Sequence, residues 1–182
     1  KIPYIHAAAA AFGFVAPPLI EGLEFEDDNL SPEIALNYYI NEDTSIFVAY
    51  KKAFKSGGVD NSALPTASIN PLSPTFAGFD ALIYDSEEVD GFEIGLKSNL
   101  FDNSMRLNAT YYKYEYTDLQ VQLFDSQIIQ FSTFNAGAVE TEGFEADLLW
   151  YTEIPGLTLR GQFAWTDATN TGDFFTPGGE NL

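Results

Sequence analysis

The feature that most constrains this chain is a two-residue alternation of apolar and polar side chains, set up again and again along its length. In the stretch GFEIGLKSNL from Gly91, Phe92, Ile94, Leu96 and Leu100 fall on one parity, with Glu93, Gly95, Lys97 and Asn99 on the other. The opening triplet, read as a strand start, returns as GFEADLLWYT from Gly143, and a related frame, PEIALNYYI, stands at Pro32. Each copy carries Glu, two residues, then Leu: Glu33 and Leu36, Glu93 and Leu96, Glu145 and Leu148. Successive side chains of a strand point to opposite faces, so this period predicts strands with one apolar face and one polar face.

A second alternating run follows each copy: Ser45 to Phe54, Met105 to Tyr111, and Leu157 to Trp165. The repeat unit is therefore a strand down, a tight turn, a strand up and a long loop. The apolar parity collects Ile34, Leu36, Tyr38 and Ile40, then Ile46, Val48 and Tyr50, then Met105, Leu107, Ala109 and Tyr111. Phe144, Ala146, Leu148 and Trp150 continue it, as do Leu157, Leu159, Gly161, Phe163 and Trp165. A soluble sandwich alternates in the same way, so three further features bear on the choice.

The links are asymmetric. NEDT from Asn41, FDNS from Phe101 and EIPG from Glu153 are short, whereas Ser56 to Ser86 is a long excursion. Short turns at one end and long loops at the other are the habit of outer-membrane barrels. The segment from Met105 to Phe124 keeps one parity throughout and is expected to be a single long strand, reaching past a lipid band of about 25 Å. Its upper half puts Lys113, Glu115 and Thr117 on the formerly apolar parity, which marks the expected lipid edge. Finally, Tyr38, Tyr50, Tyr111, Trp150 and Trp165 lie near the ends of the apolar runs, where interfacial rings belong.

Composition narrows the function. A formal charge of −19, with 8 basic residues against 27 acidic ones, argues against nucleic acid, which needs a basic footprint. Without cysteine there is no disulfide framework and no thiolate metal site. The single histidine, His6, cannot build a Ser-His-Asp constellation or a histidine-rich metal centre. Its Ala-rich surroundings, HAAAAAFGFVAPPLI, are broken by Gly13, Pro17 and Pro18, so they do not predict a spanning helix. The carboxylate pairs Asp27/Asp28 and Glu87/Glu88 fall in apparent loops, and EFEDDN from Glu24 lacks the glycine and spacing of a calcium loop. No catalysis, cofactor or metal is expected.

Four segments in order, YKKAFKSGG from Tyr50, GFEIGLKS from Gly91, YYKYEYTDLQVQLFD from Tyr111 and NAGAVETEGFEADL from Asn135, resemble the barrel of a TonB-dependent outer-membrane receptor. The resemblance runs from Leu23 to Ala168. It implies an all-β fold, an antiparallel up-and-down transmembrane β-barrel, here a segment of about six strands with short periplasmic turns and long extracellular loops. Residues 31–168 would be barrel strands, with 1–30 an outer loop or the end of a preceding strand and 169–182 the start of an outer loop. Six strands alone leave two unpaired edges in lipid, so these residues are expected to be a piece of a longer polypeptide.

The resemblance also implies partners: outer-membrane lipid, the TonB energy-coupling protein through a plug domain, and a scarce solute such as a ferric siderophore, cobalamin or an oligosaccharide. Glu93, Lys97, Arg106, Glu145, Asp147 and Arg160 are the expected lumen-facing charges. Phe76, Phe79 and Tyr84 in the long loop are the expected solute contacts. A passive porin and a soluble carbohydrate-binding β-sandwich remain as alternatives, the sandwich requiring the apolar faces to meet each other.

Overall fold

The computed structural model describes residues 25–60, 82–125 and 130–173. Every regular element among them is a strand. Six long strands form one antiparallel sheet in the order β1-β2-β5-β6-β9-β10. They are β1 (Glu33–Tyr39), β2 (Thr44–Lys55), β5 (Glu87–Leu100), β6 (Met105–Thr117), β9 (Ala138–Tyr151) and β10 (Thr158–Asn170). Between β2 and β5 come β3 (Gly58–Val59) and β4 (Ile83–Tyr84), which pair with each other, and between β6 and β9 come β7 (Gln120–Asp125) and β8 (Gln130–Asn135), likewise paired. Chain contacts divide these elements into two compact units, the long sheet and the group of short hairpins.

In the sheet, register confirms the two faces. Residues directly opposite share a face, and the row Leu96, Ala109, Ala146 and Phe163 runs unbroken across β5, β6, β9 and β10. Met105, Trp150 and Leu159 form a parallel row near the short turns, and Tyr111, Phe144 and Trp165 one near the long loops. On β1 and β2, Ile34, Leu36 and Tyr38 face Tyr50, Val48 and Ile46. These side chains do not sink into a core: Leu36 is 72% exposed and Phe163 58%. No large side chain among the described residues is fully buried. A single sheet whose apolar face stays this open is the arrangement of a barrel wall against lipid, where hydrocarbon takes the place of a second layer.

The short links are as expected in length and tight in geometry. Phe101, Asp102 and Asn103 take successive left-handed conformations, with φ of 52°, 53° and 65°, and the Ser104 amide donates to the Phe101 carbonyl at 3.0 Å. Asp and Asn accept that region because their short polar side chains bond locally.

Two expectations are corrected. The stretch Met105 to Phe124 is not one strand: β6 ends at Thr117, Asp118 turns left-handed with φ 53°, and β7 starts afresh paired with β8. The continuous parity across the break concealed a residue whose backbone leaves the strand. Nor do the Gly-Phe-Glu triplets open their strands. β5 begins at Glu87 and β9 at Ala138, because Glu88 and Asp90, or Glu140 and Glu142, continue the outward parity as charges above the apolar band.

The central row supplies a test. Phe163→Arg puts a charge at mid-band on the apolar face and is expected to cost about 2–4 kcal/mol of folding stability. Gln162→Arg, one residue away on the polar face, is expected to cost under about 1 kcal/mol. Denaturant titration of the full-length native polypeptide in lipid vesicles would measure both.

Candidate functional site

The polar face of the long sheet is where chemistry can gather, since its opposite is given to apolar contact. Its charges form a ladder at the long-loop end. Lys51, at 3.0 Å, and the Tyr114 hydroxyl both donate to Glu93, and Lys51 lies 3.9 Å from Glu33. β2, β5 and β6 are thereby tied through the Glu93 carboxylate, and β1 joins them through Lys51. Lower down, the Asn108 amide nitrogen reaches both oxygens of Asp147, at 3.1 and 2.9 Å. Lys97 stands 5.4 Å above the ring of Phe47, within cation–π range.

The glycines of this face explain the recurring triplet. Gly91 lies opposite Tyr114 and Gly143 opposite Tyr112, each with a tyrosine of β6 lying across it. A Cβ on Gly91 would come within 2.5 Å of the Tyr114 ring, and one on Gly143 within 2.4 Å of the Tyr112 ring. Gly95 is covered the same way by Phe47 at 2.1 Å. The bare backbone lets each ring lie flat, and the tyrosine hydroxyls then reach past the glycines, Tyr112 to Thr166 at 2.7 Å and Tyr114 to Glu93. In Gly-Phe-Glu, therefore, Gly receives a ring, Phe faces outward and Glu stays on the polar face.

Of the six charges expected on this face, Lys97, Arg106 and Asp147 line one concavity of about 630 Å³ with Tyr39, Phe47 and Asn108. Glu93 is engaged in the ladder instead. Glu145 lies opposite Thr110 and Ala164, and Arg160 opposite Leu149, both exposed and apart from that concavity. Sequence reasoning did not single out Lys51, Tyr112 or Tyr114. The signal was present in the paired glycines, but only the strand register shows which tyrosine covers which glycine.

The opposite face turns polar at the long-loop end. Lys52 meets Glu88 at 2.7 Å and Lys113 meets Glu140 at 2.8 Å, while the Tyr111 hydroxyl donates to Glu142 at 2.8 Å. Tyr50 reaches Asp90 at 3.4 Å. Tyr50 and Tyr111 thus hold apolar rings to the band and hydroxyls to the charged rim, as interfacial tyrosines do.

In the hairpin unit, Tyr84 packs against Gly58, its cross-strand partner. The other expected loop contacts, Phe76 and Phe79, lie outside the described residues, as does His6. Ser86 donates to Asp27, and this bond holds the Asp27 carboxyl below its ordinary range. A group depressed on folding stabilises above its unfolded pKa and loses that contribution as pH falls through the folded one, so this tether is an acid-labile contact. No cluster of His, Cys, Asp and Glu suited to a metal ion occurs among the described residues.

A single sheet, apolar on one face, polar on the other, banded by tyrosine and tryptophan and linked by short turns at one end only, defines a membrane-barrel wall. The chain matches the family model described as TonB dependent receptor-like, beta-barrel, over residues 11–182, and it belongs to that family. The family is one of transporters and receptors rather than enzymes. No curated protein matches the chain.

Among solved structures, it is similar to the ferric yersiniabactin uptake receptor FyuA from Yersinia pestis, with 21% identity and a TM-score of 0.56 over 80% of this chain and 20% of that one. It is similar to the siderophore receptor PiuA from Acinetobacter baumannii, with 20% identity and a TM-score of 0.55 over 84% of this chain and 20% of that one. The FrpB iron transporter from Neisseria meningitidis (F3-3 variant) gives 17% identity and a TM-score of 0.54, over 79% of this chain and 20% of that one. The chain thus spans about a fifth of the length of these proteins. At such identities the likeness is one of fold.

The glycine–ring contacts are open to test. Gly95→Ala is expected to cost about 1–3 kcal/mol by overpacking against Phe47. In a Phe47→Ala background most of that cost should vanish, because the three closest atoms are all on the Phe47 ring. Gly143→Ala should behave differently: Tyr112→Ala relieves it only in part, since the Trp165 backbone carbonyl also lies 2.6 Å from the added carbon. Unfolding titrations of the two double-mutant pairs would show the contrast.

Proposed function

We propose that this chain forms part of the barrel of an outer-membrane receptor that takes up a scarce solute with energy supplied through TonB, a ferric siderophore being the leading candidate. The observation that carries the proposal is the family match over residues 11–182, joined to a sheet with a lipid-suited face and a charged inner face. Several solved structures of similar fold are named for siderophore or iron uptake, which supports iron over cobalamin or an oligosaccharide as the cargo. The long-loop end faces outward and meets the solute. On the inner face Glu93, Lys97, Arg106, Glu145, Asp147 and Arg160 border the plug or the solute path. The polypeptide resides in the outer membrane and reaches TonB through a plug domain.

The reaction is translocation, with no bond made or broken by these residues. Binding at the outer loops offers a scarce solute enough free energy to be captured, and release inward requires work, which is why energy coupling is expected. The test is uptake of radio-iron as catecholate, hydroxamate and phenolate siderophore complexes by a Gram-negative host lacking its own receptors for them and carrying the full-length native polypeptide. Uptake of at least one complex that disappears when TonB is deleted is the expected result. Uptake that persists without TonB, or a pore that passes small solutes without selection, would identify a passive porin instead.

A further inference from the structure

Outside the inner face, the densest polar network among the described residues lies in the hairpin unit, and it converges on Gln120. The Gln120 carboxamide nitrogen faces three backbone carbonyls: Lys55 at 3.3 Å, Ser56 at 3.0 Å and Asp85 at 3.1 Å. Its backbone N–H donates to the Glu87 carboxylate at 2.9 Å. An amide nitrogen has only two protons, so three carbonyls around it make at least one shared bond, and nothing but a donor can sit there.

A second clamp joins the same two hairpins. Asn135 donates through Nδ2 to the Asp85 carbonyl at 2.8 Å, and its Oδ1 accepts from the Asp85 N–H at 2.7 Å. A third comes from Asp60, which is 7% exposed: its carboxylate accepts from the Thr133 N–H at 2.7 Å, and its own N–H donates to the Leu82 carbonyl at 2.7 Å. Leu82 and Ala136 are buried beside these bonds. Three side chains, Gln120, Asn135 and Asp60, thus join the β3–β4 hairpin to the β7–β8 hairpin, although the two belong to different loops of the chain.

We propose that Gln120 is a positioning residue that locks the two loop hairpins into one rigid recognition head, so that solute met by either loop is met by both. The inference rests on the reading above that the long-loop end is the solute-facing one. Two hairpins of two and six residues per strand are marginal as isolated ribbons, and cross-linking by these three side chains is what gives them a shared stability. It also lowers the ordering cost at binding, because the surface is assembled beforehand.

The test is amide hydrogen exchange on the full-length native polypeptide in detergent, comparing peptides that report Asp60 with peptides that report Thr133. In the wild type the two are expected to exchange with protection equal within about threefold, as parts of one cooperative unit. Gln120→Met keeps the length without a donor, and Gln120→Glu points a carboxylate at three carbonyls. Both are expected to raise exchange at Asp60 and Thr133 together, on the order of tenfold, although Thr133 is hydrogen-bonded to none of the three carbonyl partners of the Gln120 carboxamide.

Exchange that rises around Lys55 and Asp85 while Thr133 is unchanged would overturn the proposal, as would wild-type protection that differs more than about tenfold between the hairpins. If either variant fails to assemble, the wild-type comparison alone decides. This readout needs no solute. Failed iron uptake with coupled exchange would therefore count against the functional reading, and successful uptake with uncoupled exchange against the rigid head.

Discussion

In hydrocarbon no water is available to satisfy a backbone N–H or C=O, so a chain that crosses lipid as strands must pair every one of them with a neighbouring strand. The rest of this structure follows from that requirement. It calls for long strands in an antiparallel sheet of continuous register, and β5, β6, β9 and β10 pair over 13 positions at each junction. It also frees the side chains from making the fold, since the backbone ladder already does so. A sheet of this kind carries an unburied apolar face without penalty, because the solvent on that side is apolar.

The inner face works under the opposite rule. In membrane barrels the interior is polar and wetted, so charges are tolerated there, but strands packed side by side leave gaps where glycine has no side chain. Aromatic rings from the neighbouring strand fill them: Tyr114 over Gly91, Tyr112 over Gly143 and Phe47 over Gly95. The rings then deliver hydroxyls to Glu93 and Thr166, so packing and polar connectivity share the same side chains. Lys51 is the hinge of charge in this arrangement, placed between Glu33 and Glu93 on three successive strands.

Much of this was legible in the residues. The period of two assigned the apolar side chains of the six long strands to their face, because alternation is a direct consequence of strand geometry. The short links were legible for the same reason, lying where alternation lapses for four or so residues. The upper ends of β5 and β9 were not, since charge on the outward parity above the lipid looks like loop until a partner strand is known. The break at Asp118 was hidden because a left-handed residue interrupts a strand without disturbing its parity. The Gln120 node could not be seen at all: its three carbonyl partners lie far off in sequence and bear no side-chain signature.

The central claim is that one face of this sheet meets lipid and the other meets water. These 182 residues contain no cysteine, so with any cysteine elsewhere in the full-length native polypeptide replaced by serine, single cysteines placed along β5 between Ile94 and Asn99 can be read one at a time in vesicles. Labelling with a charged, water-borne thiol reagent should alternate, strong at positions 97 and 99 and weak at 94, 96 and 98, with a lipid-borne quencher giving the inverse pattern; position 95 is left as glycine because the Phe47 ring covers it. Uniform labelling by the water-borne reagent, or alternation in the opposite phase, would contradict the assignment and with it the reading of this sheet as a barrel wall.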